Sequence, residues 1–197
     1  NYRFVMDTLT HALSGALLAR ATAGLEKPAL PVRRRVAIGA LVAAFPDLDI
    51  VASWISPLAY LYNHRGVTHS LAMLPLWTIL LAWIFALIWR GGPGWKTYAP
   101  VVAMSLAAHI AGDWITTFGT MIFAPFSDYR HGIGTTFIID LWFSGIIIAG
   151  LALLNIRLGA QHLAPLQEAL LVSLNYALGF LLIYPLPDWE EIERKLM

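Results

Sequence analysis

The sequence predicts an all-α protein, a polytopic membrane helix bundle with about six transmembrane helices. Three observations carry that expectation. Of 197 residues, 58% are hydrophobic and only 13% charged, and the mean hydropathy is +0.66, far above what a water-facing domain tolerates. Six apolar stretches approach the roughly 20 residues needed to cross a hydrocarbon core about 30 Å thick. Clusters of Pro, Gly and charged residues separate them, as connecting loops require.

Residues 1–5 read as appended or upstream residues without chemistry, because Met6-Asp7-Thr8-Leu9-Thr10-His11 has the look of a natural start. The first apolar stretch, Thr8–Leu25, holds His11 and has no basic region before it beyond Arg3, so it is expected to stay as a helix, not to be cleaved as a signal. The second, Val36–Ile55, is interrupted by Pro46-Asp47-Leu48-Asp49. Ser70–Trp89, Tyr98–Phe118, Thr135–Ile156 and Leu166–Tyr184 follow. Residues 6–186 leave no room for a second domain, and residues 187–197 form a charged, amphipathic tail that leads toward a soluble segment.

Small residues concentrate in the first, second and fourth stretches, at Gly15, Ala16 and Ala19, at Gly39, Ala40 and Ala43, and at Ala107, Ala108 and Gly112. These three should pack closest, because small side chains let helix backbones approach. The third and fifth are richer in Leu, Ile, Trp and Phe, which suits lipid contact. Placing loops on alternate sides puts Arg20, Lys27, Arg33, Arg34, Arg35, Arg90, Lys96 and Arg157 on one face, against Arg3, Arg65, Arg130, Arg194 and Lys195 on the other. The richer face is expected to be cytoplasmic.

A net charge of +1 gives no reason to expect nucleic acid as a partner. No Cys is present, so a metal would have to sit among His, Asp and Glu. Ionisable groups inside membrane segments cost at least about 2.5–3.5 kcal/mol each near the centre and require a partner or a function. Here they are His11, Asp47, Asp49, His69, His109, Asp113 and Asp140, with His64 just outside the third stretch, and the six-segment topology brings every one toward the same face.

His109 and Asp113, four apart on a helix, share a face on which they can chelate one cation, with Thr116 and Thr117 continuing it. A structural His–Asp hydrogen bond would satisfy the same spacing. Asp47 and Asp49 cannot share one helical face, so an unwound segment after Pro46 is expected to turn both toward an ion, unless Asp49 caps the next helix. His64-Arg65-Gly66-Val67-Thr68-His69-Ser70 adds two imidazoles suited to zinc and an Arg65 that could clamp an anionic oxygen; the plainer reading makes Arg65 an interfacial anchor and His64 a loop residue. His131 and His162 are expected to be solvated, and the Trp and Tyr residues near segment ends to form interfacial belts.

The ordered strings Thr8-Leu9-Thr10-His11, Pro46-Asp47-Leu48-Asp49, His64 to Ser70 and His109-Ile110-Ala111-Gly112-Asp113, followed by Thr117-Phe118-Gly119-Thr120 and Ala124-Pro125-Phe126, resemble the YdjM-like family of inner-membrane proteins inferred to be metal-dependent hydrolases. The match runs from about Met6 to Asp140. The resemblance implies metal-ligand roles for His11, Asp47, Asp49, His64, His69, His109 and Asp113, and an inner (plasma) membrane location. A looser similarity, in the abundance of His and Asp, is to zinc-dependent phospholipase C and related nucleases.

Four His and three Asp exceed what one catalytic zinc needs, so two or more divalent ions are expected, zinc first and manganese as the alternative. The expected activity is hydrolysis of a lipid or lipid-linked phosphoester by a metal-activated water, with Asp49, Arg65 and Asp113 in catalytic roles, membrane lipids as partners, and a site opening toward the extracytoplasmic face. A metal-binding or metal-transporting membrane protein is the alternative. A metal-free phosphatase with His109 as nucleophile ranks last, since no Lys/Arg-rich phosphate motif accompanies it.

Overall fold

A computed structural model describes residues 3–23, 30–54, 56–116, 118–133, 145 and 148–150. Among them the secondary structure is helical, without named strands: α1 (Arg3–Ala21), α2 (Val32–Ala44), a 3-10 stretch (Pro46–Trp54), α3 (Pro57–Asn63), a short 3-10 turn (Val67–His69), α4 (Leu74–Ile88) and α5 (Trp95–Trp114). The segment expected at Leu166–Tyr184, most of Thr135–Ile156, Asp140, His162 and the 187–197 tail lie outside the described residues.

The small-residue stretches meet as their composition implies. On α1 and α2, Gly15 and Gly39 face each other so closely that a Cβ on Gly15 would run into the Gly39 carbonyl, and one on Gly39 into that of Gly15. Helix α5 packs against both, and against α4 on its other side. Ala19, Ile38, Val42, Leu81, Phe85, Tyr98, Val102 and Leu106 form the core between these four helices. The outer face of α4 leaves Leu76, Ile79, Leu80, Trp83, Leu87 and Ile88 exposed, an apolar surface that suits lipid.

Arg35 serves the fold as well as the charge balance. It is buried, and donates from Nε to the Ala19 carbonyl (2.7 Å) and from Nη2 to Thr22 Oγ1 (2.6 Å), satisfying acceptors at the C-terminal end of α1.

Two boundaries differ from the sequence expectation. Helix α4 starts at Leu74, not Ser70, because Ser70 Oγ instead accepts from Ala72 N (3.1 Å) and can donate to the Ala124 carbonyl (2.6 Å), holding the chain in a turn until Pro75 opens the helix. Helix α3 fills a stretch expected to be a loop. Ser56 Oγ accepts from Ala59 N (2.9 Å) and Pro57 opens the first turn, a local start signal that a search for long apolar runs passes over.

Among the described residues no single helix is long and apolar enough to cross a membrane. Two bent pairs meet the test together: Val32–Ala44 with Pro46–Trp54, bent by 45°, and Leu58–His69 with Leu74–Ile88, bent by 80°.

Candidate metal centre

Four elements deliver the polar residues to one place. His11 comes from α1, Asp47 and Asp49 from the 3-10 stretch, His64, Arg65 and His69 from the connection between α3 and α4, and His109 and Asp113 from the last turns of α5. The break after α2 is what frees Asp47 and Asp49: in a 3-10 stretch they leave the helix surface and turn toward α5 and the α3–α4 connection.

At the centre, four side chains converge. His69 Nε2 lies 3.2 Å from Asp113 Oδ2 and 3.6 Å from Asp47 Oδ1; His109 Nε2 lies 3.4 Å from Asp113 Oδ2 and 3.7 Å from Asp47 Oδ1. His69 and Asp113 are 0% exposed. Despite that burial, His69 Nε2, His109 Nε2, Asp113 Oδ2 and Asp47 Oδ2 have no hydrogen-bond partner among the described residues. Buried polar atoms without partners are rare, and three of them, with Asp113 Oδ2 within 3.4 Å of both imidazole nitrogens, mark a place that could hold an ion.

The tautomer of His109 follows from its other nitrogen. Nδ1 lies 2.6 Å from the Ala43 carbonyl, which can only accept, so Nδ1 carries the proton and the Nε2 lone pair faces the centre. His69 Nδ1 is backed by Thr68 Oγ1 at 3.0 Å and Asp49 Oδ2 at 3.6 Å, the carboxylate-behind-imidazole arrangement that orients metal-binding histidines.

The donor set fits a small divalent cation. Ligands held about 2.0–2.2 Å from a tetrahedral ion lie about 3.3–3.6 Å apart, close to the four histidine–carboxylate separations given above. Two triplets of possible ligands are present, Asp47, His69 and His109, and His11, His109 and Asp113; they share His109 and so outline one compact centre.

The remaining candidates surround this set, and His11 belongs to the second possible triplet. Asp49 holds His64 Nδ1 with both carboxylate oxygens at 3.1 Å and accepts from Arg65 N at 3.0 Å, so it orients neighbours and caps no helix. His64 stacks on Tyr60, with ring centroids 4.7 Å apart. Arg65 is 1% exposed and grips Asp113 Oδ1 at 2.9 Å, with Thr116 Oγ1 as a further acceptor. Its two terminal nitrogens are thus engaged by Asp113 and Thr116. The backbone of Arg65 is left-handed (φ 57°), an unfavourable setting for a non-glycine residue that lets its N–H reach Asp49 while its carbonyl accepts from Met121 N (2.9 Å). His11 Nε2 lies 3.1 Å from Asp113 Oδ1, and its ring stacks 3.9 Å from that of His109.

His131 is half-buried, not solvated: its backbone pairs with Thr120, and its ring meets Tyr129 and Phe123. Sequence reasoning left Arg130 without a role, yet it lies on the Phe118 ring, 4.9 Å from its centroid, beside Arg65 at 5.4 Å. No local sequence signal marks it.

Comparison with known proteins agrees with the motif resemblance. The family model described as YdjM inner membrane protein matches residues 6–186. A protein of Bacillus subtilis (strain 168) described as "Uncharacterized protein YfhP" is 27% identical over 132 residues, covering 66% of this chain; the matched region spans 40% of that relative's length. No solved structure matches.

Proposed function

The chain belongs to the YdjM inner membrane protein family, and from that premise we propose that it is a multi-pass, membrane-bound, metal-dependent hydrolase acting on a phosphoester of a lipid or lipid-linked substrate. The observation that carries the reading is the convergence of His69 Nε2, His109 Nε2, Asp113 Oδ2 and an Asp47 carboxylate in a buried space without hydrogen-bond partners. At least one divalent ion, zinc or manganese, would be held by these four residues. Such an ion would supply Lewis-acid polarisation of a phosphoryl oxygen and acidification of a water.

The chain's own residues supply the rest. Arg65 and His11 fix Asp113 from the side away from the centre, so its Oδ2 stays aimed inward. Asp49 sets the His69 ring from behind and holds His64, whose side chain is 14% exposed against 0% for His69. His64 is thus the imidazole placed to pass a proton between the centre and its mouth, with Asp49 keeping the proton on Nδ1. Asp47, at 11% exposure, marks where a substrate oxygen would arrive. The six-segment topology and an extracytoplasmic site belong to this reading, supported by the apolar stretches and the distribution of basic residues.

The test is hydrolysis by the detergent-purified chain before and after chelation. Release of phosphate or a phosphorylated headgroup from a lipid phosphoester, lost on chelation and restored by zinc or manganese, is expected. Activity that survives complete metal removal contradicts the reading. A transporter remains the second reading, favoured by the near-complete burial of the centre; metal flux in proteoliposomes without hydrolysis would put it first.

A further inference from the structure

Between α3 and the 121–130 loop runs a groove of about 540 Å³, within the range of small-molecule sites. Its walls are mostly apolar, with Leu58, Leu61, Val67 and Met121 among them, and its charged members are Asp128 and Arg130. Arg130 is poorly satisfied. Nη2 donates to the Leu61 carbonyl at 3.2 Å, while Nη1 is buried without a hydrogen-bond partner among the described residues. Asp128 is exposed and makes no ion pair with it.

Arg65 shares the Phe118 ring with Arg130, but Asp113 neutralises Arg65 and nothing comparable neutralises Arg130. Burial, and then the charge of Arg65, push the Arg130 pKa down, with Asp49 opposing them. A guanidinium without a neutralising carboxylate gains from an anion beside it, and its planar fork suits phosphate. Phe118 also lies 5.6 Å from His64, so this cation stands beside the mouth of the metal centre.

We propose that the groove takes an acyl chain of an anionic membrane phospholipid while the guanidinium of Arg130, which lines the groove, holds the lipid phosphate. This deepens the hydrolase reading by naming the end of the substrate that is recognised, and rests on it for the chemical consequence. Binding itself requires no metal, which lets the two be tested apart.

The experiment titrates the full chain, purified in maltoside and stripped of metal, with dihexanoylphosphatidylglycerol, with uncharged dihexanoylglycerol, and with glycerol phosphate as the bare headgroup. Calorimetry reads each affinity for the wild type, Arg130→Gln, Arg130→Lys and Leu58→Trp. The phospholipid should bind tightest, lose about tenfold or more in Arg130→Gln, and recover in part in Arg130→Lys. Leu58→Trp should weaken the phospholipid and leave glycerol phosphate unchanged, and it decides the matter if Arg130→Gln fails to fold. Equal phospholipid binding by wild type and Arg130→Gln overturns the proposal, as does glycerol phosphate binding as tightly as the lipid. Arg130-dependent lipid binding in a chain that never takes up metal would uphold this site while removing the hydrolase reading.

Discussion

Two sets of His and Asp lie side by side in this molecule, built from the same residue types and differing in what their inner atoms touch. In the inner set, His69, His109, Asp113 and Asp47 approach one another at 3.2–3.7 Å, and the outer atoms of the first three are already occupied by Thr68 and Asp49, by Ala43 and by Arg65. In the outer pair, Asp49 and His64 satisfy each other at 3.1 Å. On the proposed reading the difference separates holding an ion from orienting the groups that would hold it. Burial alone would not separate them, because Arg65 is as buried as the inner set and acts from behind it.

The comparison breaks most decisively at Asp113. Asp113→Asn should abolish metal binding and lower the melting temperature as well, since Arg65 would be left as a buried charge without its counter-ion, at a cost of about 3–5 kcal/mol. Thermal unfolding of the metal-free variant against metal-free wild type reads that second effect; equal melting temperatures would mean the Arg65–Asp113 pair is not what the geometry implies. His109→Ala should also lose the ion without exposing a buried charge, so its apo form should unfold closer to wild type than that of Asp113→Asn. Asp49→Asn removes only an orienting carboxylate, and metal affinity measured by competition with a chelating dye should fall by about 10–100-fold. An effect as large as that of His109→Ala would move Asp49 into the ligand set. Gly112→Ala is the mildest, because a Cβ there meets His11 Cε1 at 3.0 Å and the ring must shift by a few tenths of an ångström. It should change metal affinity by less than Asp49→Asn does, and no change at all would show that His11 tolerates displacement.

Much of this site was legible in the sequence. Ionisable residues in apolar stretches are costly enough that His11, Asp47, Asp49, His69, His109, Asp113 and Asp140, with His64 beside them, pointed to one face; the structure brings together all of them but Asp140, which lies outside the described residues. The unwinding after Pro46 followed from two carboxylates that could not share a helical face, and the close approach of α1 and α2 from Gly15 and Gly39. The proposed division into ligands and orienting residues was not legible, because it turns on which ring nitrogen meets which acceptor. The Ala43 carbonyl that sets the His109 tautomer is a backbone atom that leaves no trace in residue identity. Arg65 could be read as a clamp for an anionic oxygen or as an interfacial anchor, but its pairing with Asp113 was not legible, because that residue lies 48 positions away and no local pattern joins them. Arg130 had no expected role, because its setting depends on a loop that folds back over α3.

The central claim is that the inner set holds a metal and the outer pair does not. Elemental mass spectrometry of metal per chain, on detergent-purified wild type, Asp113→Asn and Asp49→Asn incubated with excess zinc or manganese and then desalted, tests it most directly. At least about one ion per chain is expected in wild type and Asp49→Asn, and close to none in Asp113→Asn. Metal-free wild type after both incubations, or equal metal in all three proteins, would contradict it.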